Sequence, residues 1–170
     1  MSKPLFTGGC QCGAVRFRVE GAMKDSSVCY CRMCQKASAA FALALVNTRG
    51  AELSWTRGGP SWFQSSNAVR RGFCADCGTP LAYDAPDGLA LCVVAFDDPA
   101  ALPPTHAWGT EAKLPWCDSV PGLPAHVTMD DSGATGFLAG MVNYQHPDHE
   151  TENWPPPVAG EGRQGGEGSS

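Results

Sequence analysis

Seven of the nine cysteines stand in three tight groups, Cys10-Gln11-Cys12, Cys29-Tyr30-Cys31-Arg32-Met33-Cys34 and Cys74-Ala75-Asp76-Cys77. Any fold of this chain has to bring those groups somewhere useful. Neighbours in Cys-x-Cys cannot bridge to each other without strain, and an odd count leaves one thiol over. Spacing therefore points to metal ligands rather than a disulfide framework. Four thiols suffice to close a tetrahedral zinc site, so Cys10, Cys12, Cys74 and Cys77 are read as structural ligands clamping the N-terminal strand to the middle of the chain. Cys29, Cys31 and Cys34 supply three ligands, which leaves a fourth position for water or substrate. The cofactor expected is Zn²⁺, two per chain.

At 170 residues, 43% of them hydrophobic, the chain has room for one domain and little more. No run approaches the roughly 18 apolar residues of a membrane span. Met1–Leu5 carries no apolar segment that could act as a secretory signal, and the expectation is a cytoplasmic protein without a membrane partner. Residues 146–170 hold five acids and Arg163, a net −4 of the formal −5, so residues 1–145 are near neutral at −1. Phosphate binding draws on a basic stripe, and Arg70-Arg71 is the only adjacent basic pair, so nucleic acid is not expected as a partner.

Short apolar runs broken by Gly and Pro predict an all-β fold of short antiparallel strands. Ala14–Val19 alternates, with Val15, Phe17 and Val19 on one face and Arg16 and Arg18 on the other. A loop is expected between Gly21 and Cys29, one helical turn over Gln35–Ser38, and a central strand over Phe41–Val46. Leu53–Thr56, Ser61–Gln64 and Val69–Phe73 read as short strands. Cys74–Gly78 reads as a zinc knuckle, followed by a hairpin of Leu81–Asp84 and Leu89–Phe96 around Ala85-Pro86-Asp87-Gly88. Cys92 falls in that hairpin as a small buried hydrophobe. Asp97–Val127 is Pro-rich and predicted to drape over the sheet as loops, with one turn at Asp98–Leu102 capped by Asp98. Three segments follow: a zinc-binding domain at 1–128, an extension at 129–149 with a short helix over Gly133–Tyr144, and a disordered tail at 150–170.

Gly9-Cys10-Gln11-Cys12-Gly13, then Cys29-x-Cys31-x-x-Cys34-x-Lys36, then Arg71-Gly72-Phe73-Cys74-x-x-Cys77-Gly78-Thr79-Pro80-Leu81 closely resemble the glutathione-dependent formaldehyde-activating family, which also includes the metazoan centromere protein V. The likeness runs from about Thr7 to Val127 and continues in His106-Ala107-Trp108 and Lys113-Leu114-Pro115-Trp116. The resemblance implies a zinc-containing β-tent. It also implies a structural zinc on Cys10, Cys12, Cys74 and Cys77, and a catalytic zinc on Cys29, Cys31 and Cys34. The activity implied is carbon–sulfur lyase-type chemistry joining glutathione to formaldehyde, or the reverse. Gln11 and Ala39 depart from the family pattern, which often has His and Gly there.

Three thiolates on zinc favour a soft fourth ligand, and coordination deprotonates a thiol. Glutathione or a similar small thiol, with a small aldehyde, is thus the expected partner. Its carboxylates need cations, and Arg32 and Lys36 adjoin the ligands; Arg70, Arg71 and Lys113 are further candidates. His106 and Trp108 could line the pocket, with His106 relaying a proton. Three alternatives stay open: a second structural zinc completed by Cys92, Cys117 or a His, an empty or redox-active thiol cluster, and a non-catalytic thiol carrier or protein-interaction module. His146-Pro147-Asp148-His149 reads as incidental.

Overall fold

The computed structural model describes residues 2–128 and 140–154, together with Gly136 and Leu138. Among these residues ten short strands form two sheets. β1 (Leu5–Gly9), β2 (Arg16–Glu20) and β5 (Glu52–Arg57) make a three-stranded antiparallel sheet in the order β1-β2-β5. The second sheet holds β3 (Lys24–Cys29), β4 (Leu43–Asn47), β6 (Ser61–Gln64), β7 (Arg70–Phe73), β8 (Pro80–Ala85), β9 (Gly88–Cys92) and β10 (His106–Trp108). Its order is β10-β3-β4-β9-β8-β7-β6, with β10 alone parallel to its neighbour. The all-β expectation holds, with the short α-helix α1 (Arg32–Ser38) set between β3 and β4.

Alternation decides β2. Phe17 and Val19 are fully buried, and Phe17 meets Trp55 and Phe96 edge-on at ring distances of 5.8 and 4.9 Å. Edge-to-face geometry suits the ring quadrupoles, so this cluster joins the small sheet to the segment after β9. A bridge between Gly8 and Phe96 reinforces the join. Arg16 departs from the alternation: it is 2% exposed although it was expected to face outward. Its guanidinium is held by both Asp97 oxygens at 2.8 and 2.6 Å and by Glu150 at 2.8 Å, and a buried charge needs such partners.

Several boundaries move for physical reasons. The loop expected before Cys29 is largely β3, whose polar Lys-Asp-Ser-Ser sequence hides a strand fixed by pairing with β4. The turn expected over Gln35–Ser38 extends back to Arg32, because the Cys31 sulfur accepts the Cys34 N–H and caps the helix. At its other end Ala39 takes a left-handed φ of 51°, the conformation that favours glycine. The hairpin forms with Ala85 paired to Gly88, but β9 stops at Cys92 and Val93–Ala95 is a 3₁₀ turn. Pro99–Ala101 makes the expected turn, without a side-chain bond from Asp98. β10 emerges from the Pro-rich stretch because Ala107 and Trp108 pair with Val28 and Cys29.

The short helix expected over Gly133–Tyr144 falls mostly outside the described residues, as do residues 155–170 of the expected tail. The described residues 150–154 at the start of that stretch make contacts with the strands. Glu150 pairs with Arg16, Thr151 accepts from Arg57, and the Trp154 indole donates to the Cys12 carbonyl at 2.7 Å. One aromatic ring in an acidic, Pro-rich stretch is enough to seat the segment when a carbonyl and a histidine ring await it.

Candidate metal centres

Cys10 and Cys12 lie in the turn between β1 and β2, and Cys74 and Cys77 in the turn between β7 and β8, so the ligand pairs come from different sheets. Their four sulfurs lie within 4.8 Å of one another. Cys10 to Cys12 is 3.6 Å and Cys12 to Cys74 is 3.8 Å. Zinc–sulfur bonds of about 2.3 Å in a tetrahedron require sulfurs roughly 3.8 Å apart. The donor set fits zinc. Protein groups already point at the sulfurs: the Val15 N–H reaches Cys10 Sγ at 3.2 Å, and the Thr79 hydroxyl lies 3.1 Å from Cys77 Sγ.

Four crowded thiols cannot all ionise without a cation. Burial pushes Cys12 up to about 12, and burial also raises Cys74. Burial acts on Cys77 too, but hydrogen bonds from Thr79 and the Cys12 backbone overcome it and bring the thiol down to about 6. Burial thus opposes ionisation of Cys12 and Cys74 while hydrogen bonds favour it at Cys77. A divalent cation relieves that conflict by replacing the protons.

The second cluster is built differently. Cys29 ends β3, Cys31 caps α1 and Cys34 sits in its first turn, so strand end and helix start converge three sulfurs within 4.8 Å. Gly109, which follows β10, takes φ +62° beside this turn, where a side-chain carbon would lie 2.6 Å from the Cys31 nitrogen. Among the described residues no other Cys, His, Asp or Glu joins the cluster. Cys92 and Cys117 are buried elsewhere, Cys92 pushed up to about 12 by burial, so neither completes a four-ligand site.

The three sulfurs open onto a cavity of about 590 Å³. Tyr83, His106 and Trp108 form part of its wall, and Asp25, Arg49 and Asp87 add charged groups. Burial pushes Cys29 up to about 12. Cys31 goes the other way: burial would raise it, yet the Cys34 N–H and the neighbouring thiols lower it. Cys34 is raised by burial against the opposing pull of Arg71, whose Nη2 lies 3.5 Å from its sulfur.

The sequence-based candidates separate here. His106 and Trp108 reach the cavity, their rings edge-on at 5.4 Å, because β10 lies beside β3. Arg32 and Lys36 do not line it. The helix buries Cys34 and Gln35 and turns both cations outward, Arg32 onto the Gln35 amide oxygen at 3.1 Å. Lys113 pairs with Asp118 and lies over the Tyr30 ring, and Arg70 pairs with Asp84. Arg71 is the cation that the fold delivers, along with Arg49, which spacing alone did not single out. Strand alternation was the available signal, since Arg71 shares its face of β7 with Phe73 rather than with Arg70.

Residues 5–111 match the family described as glutathione-dependent formaldehyde-activating enzyme, and the chain belongs to that family. Both cysteine clusters, consistent with two zinc sites, contain residues of the matched stretch only. The chain is also similar to a Rhodobacter sphaeroides protein known from a structural-genomics crystal structure. That likeness has 22% identity and a TM-score of 0.46, and covers 59% of this chain and 98% of the other. No curated protein matches the chain.

Proposed function

We propose that this family member is a zinc-dependent carbon–sulfur lyase-type enzyme that activates a small thiol, glutathione by preference, for addition to formaldehyde or another small aldehyde, or catalyses the reverse. The observation that carries the reading is three converging sulfurs, with no fourth ligand among the described residues, at the wall of a cavity sized for a small molecule. A zinc ion held by Cys29, Cys31 and Cys34 would supply a position at which a thiol loses its proton at neutral pH.

The remaining work falls to side chains. Arg49 and Arg71 offer donors for substrate carboxylates, and Asp25 and Asp87 offer acceptors for an ammonium group. Tyr83 and Trp108 present apolar surface and narrow the space around the sulfur. In the forward direction the thiolate sulfur bonds to the aldehyde carbon, the carbonyl π bond breaks, and the oxygen takes up a proton. The reading assigns that proton transfer to His106, a residue of the cavity wall whose Nδ1 lies 3.1 Å from the Thr105 hydroxyl, leaving Nε2 for exchange.

Mixing zinc-loaded protein with glutathione and formaldehyde, and following S-hydroxymethylglutathione, tests the reading. Formation well above the uncatalysed rate, abolished in Cys31→Ser, is expected. A protein that binds glutathione yet leaves the rate unchanged is a thiol carrier.

A further inference from the structure

Three of the other described arginines find carboxylates, while Arg32, Arg49 and Arg57 bond to amide, carbonyl or hydroxyl oxygens. Arg16 meets Asp97 and Glu150, Arg18 meets Glu20, and Arg70 meets Asp84. Arg71 is 8% exposed and forms an ion pair with no Asp or Glu among the described residues. It is nonetheless firmly held. β7 is an interior strand, with Arg71 registered between Phe63 and Tyr83. The guanidinium Nε donates to Ser65 Oγ at 3.1 Å, and the guanidinium carbon lies 5.1 Å over the Tyr83 ring. Its Nη2 points at Cys34 Sγ, 3.5 Å away, and the residue lines the cavity.

A buried cation without a carboxylate is costly unless another negative group faces it. The three-cysteine cluster is that group. Three thiolates and one Zn²⁺ carry −1, and an incoming thiolate raises this to −2 in a partly buried place. We infer that Arg71 is the counter-charge of the three-cysteine centre, a positioning residue that allows the cavity to accept an anionic sulfur ligand. This rests on the thiol-activating reading above and adds the residue that makes the fourth ligand affordable in charge. Arg71 acts by its charge on the whole centre, so its effect extends to thiols that have no carboxylate for it to grip.

Cobalt(II)-loaded full-length protein titrated with 2-mercaptoethanol, read by thiolate-to-cobalt absorption, tests this. An opposite charge at this range changes an anion's stability roughly 10- to 100-fold. Arg71→Gln is therefore expected to weaken 2-mercaptoethanol binding by that factor. Arg71→Lys should recover most of it, and the exposed Arg18→Gln should leave it unchanged. The cobalt absorption of the four-cysteine site should be the same in all variants. Equal affinity in Arg71→Gln and wild type overturns the inference, as does an Arg71→Lys protein that is as weak as Arg71→Gln. Should Arg71→Gln not fold, Arg71→Lys decides alone: affinity within about threefold of wild type is expected if charge is what acts, and a tenfold loss on an intact fold contradicts it. A wild type whose thiolate band does not grow with 2-mercaptoethanol sinks the proposed function, and the role of Arg71 with it; a wild-type titration matched by Arg71→Gln sinks only the role of Arg71.

Discussion

The indole Nε1–H of Trp154 donates a 2.7 Å hydrogen bond to the carbonyl of Cys12, 142 residues earlier in the chain. The His146 backbone N–H donates to the neighbouring Gln11 carbonyl at 2.7 Å, and the His146 and Trp154 rings meet edge-on at 5.0 Å. Residues 146–154 therefore lie across the first ligand turn. Gly13 is part of the fit: at φ +76° it has no side chain where one would overlap both rings.

Trp154→Ala should lower stability by about 2 kcal/mol, one hydrogen bond plus part of a buried ring. For a domain of this size that is a fall of roughly 4–8 °C in Tm. Zinc release to a chelator should quicken as the turn carrying Cys10 and Cys12 is uncovered. Thermal melts and chelator kinetics on wild type and variant measure both; an unchanged Tm and release rate would show that the segment only rests there.

The buried pair of Arg16 and Asp97 gives a second expectation. Burial of the Asp97 carboxyl works against ionisation, but hydrogen bonds from Arg16 and the Thr7 hydroxyl outweigh it and hold its pKa below the usual range. A carboxyl depressed in the fold stabilises it above the unfolded pKa of about 3.9, and loses that contribution as pH falls through the folded value. Asp97→Asn leaves Arg16 with Glu150 alone and should cost about 3–5 kcal/mol near neutral pH. The gap between wild type and Asp97→Asn should narrow as pH drops below about 4. Urea unfolding at several pH values tests it, a constant gap being the contrary result.

What the sequence disclosed and what it hid follow from range. The cysteine groups, the knuckle before Gly78 and the hairpin around Pro86-Asp87 are local patterns, and each stands in the structure. β3 and β10 were hidden because polar Ser26-Ser27 and Pro-flanked His106 become strands only through their partners. Arg32 and Lys36 adjoin the ligands in sequence, yet a 3.6-residue period turns them away, whereas Arg71 arrives on a distant strand. The contacts of 150–154 were hidden by composition: the acids there and the prolines that follow predict disorder, and the bonds to Arg16, Arg57 and Cys12 leave no periodic trace.

The two clusters should fail differently. Cys74→Ser removes a ligand that ties the two sheets together, and structural zinc binding of roughly 10–16 kcal/mol exceeds the ~5–15 kcal/mol stability of a typical domain. It should leave no cooperatively folded protein. Cys31→Ser alters a cavity wall, and should keep the fold and the four-cysteine zinc while losing the second metal. Circular dichroism with metal analysis distinguishes them, and a Cys31→Ser protein that no longer folds would remove the division.

Replacing zinc by cobalt and adding glutathione tests most directly whether the three-cysteine centre is open to a thiol. Three protein sulfurs with no fourth ligand among the described residues predict that thiolate-to-cobalt charge-transfer bands grow and saturate with glutathione, and stay flat with its S-methyl derivative, which cannot form a thiolate. Bands that change with neither ligand would contradict the account and make the second cluster a structural or interaction site.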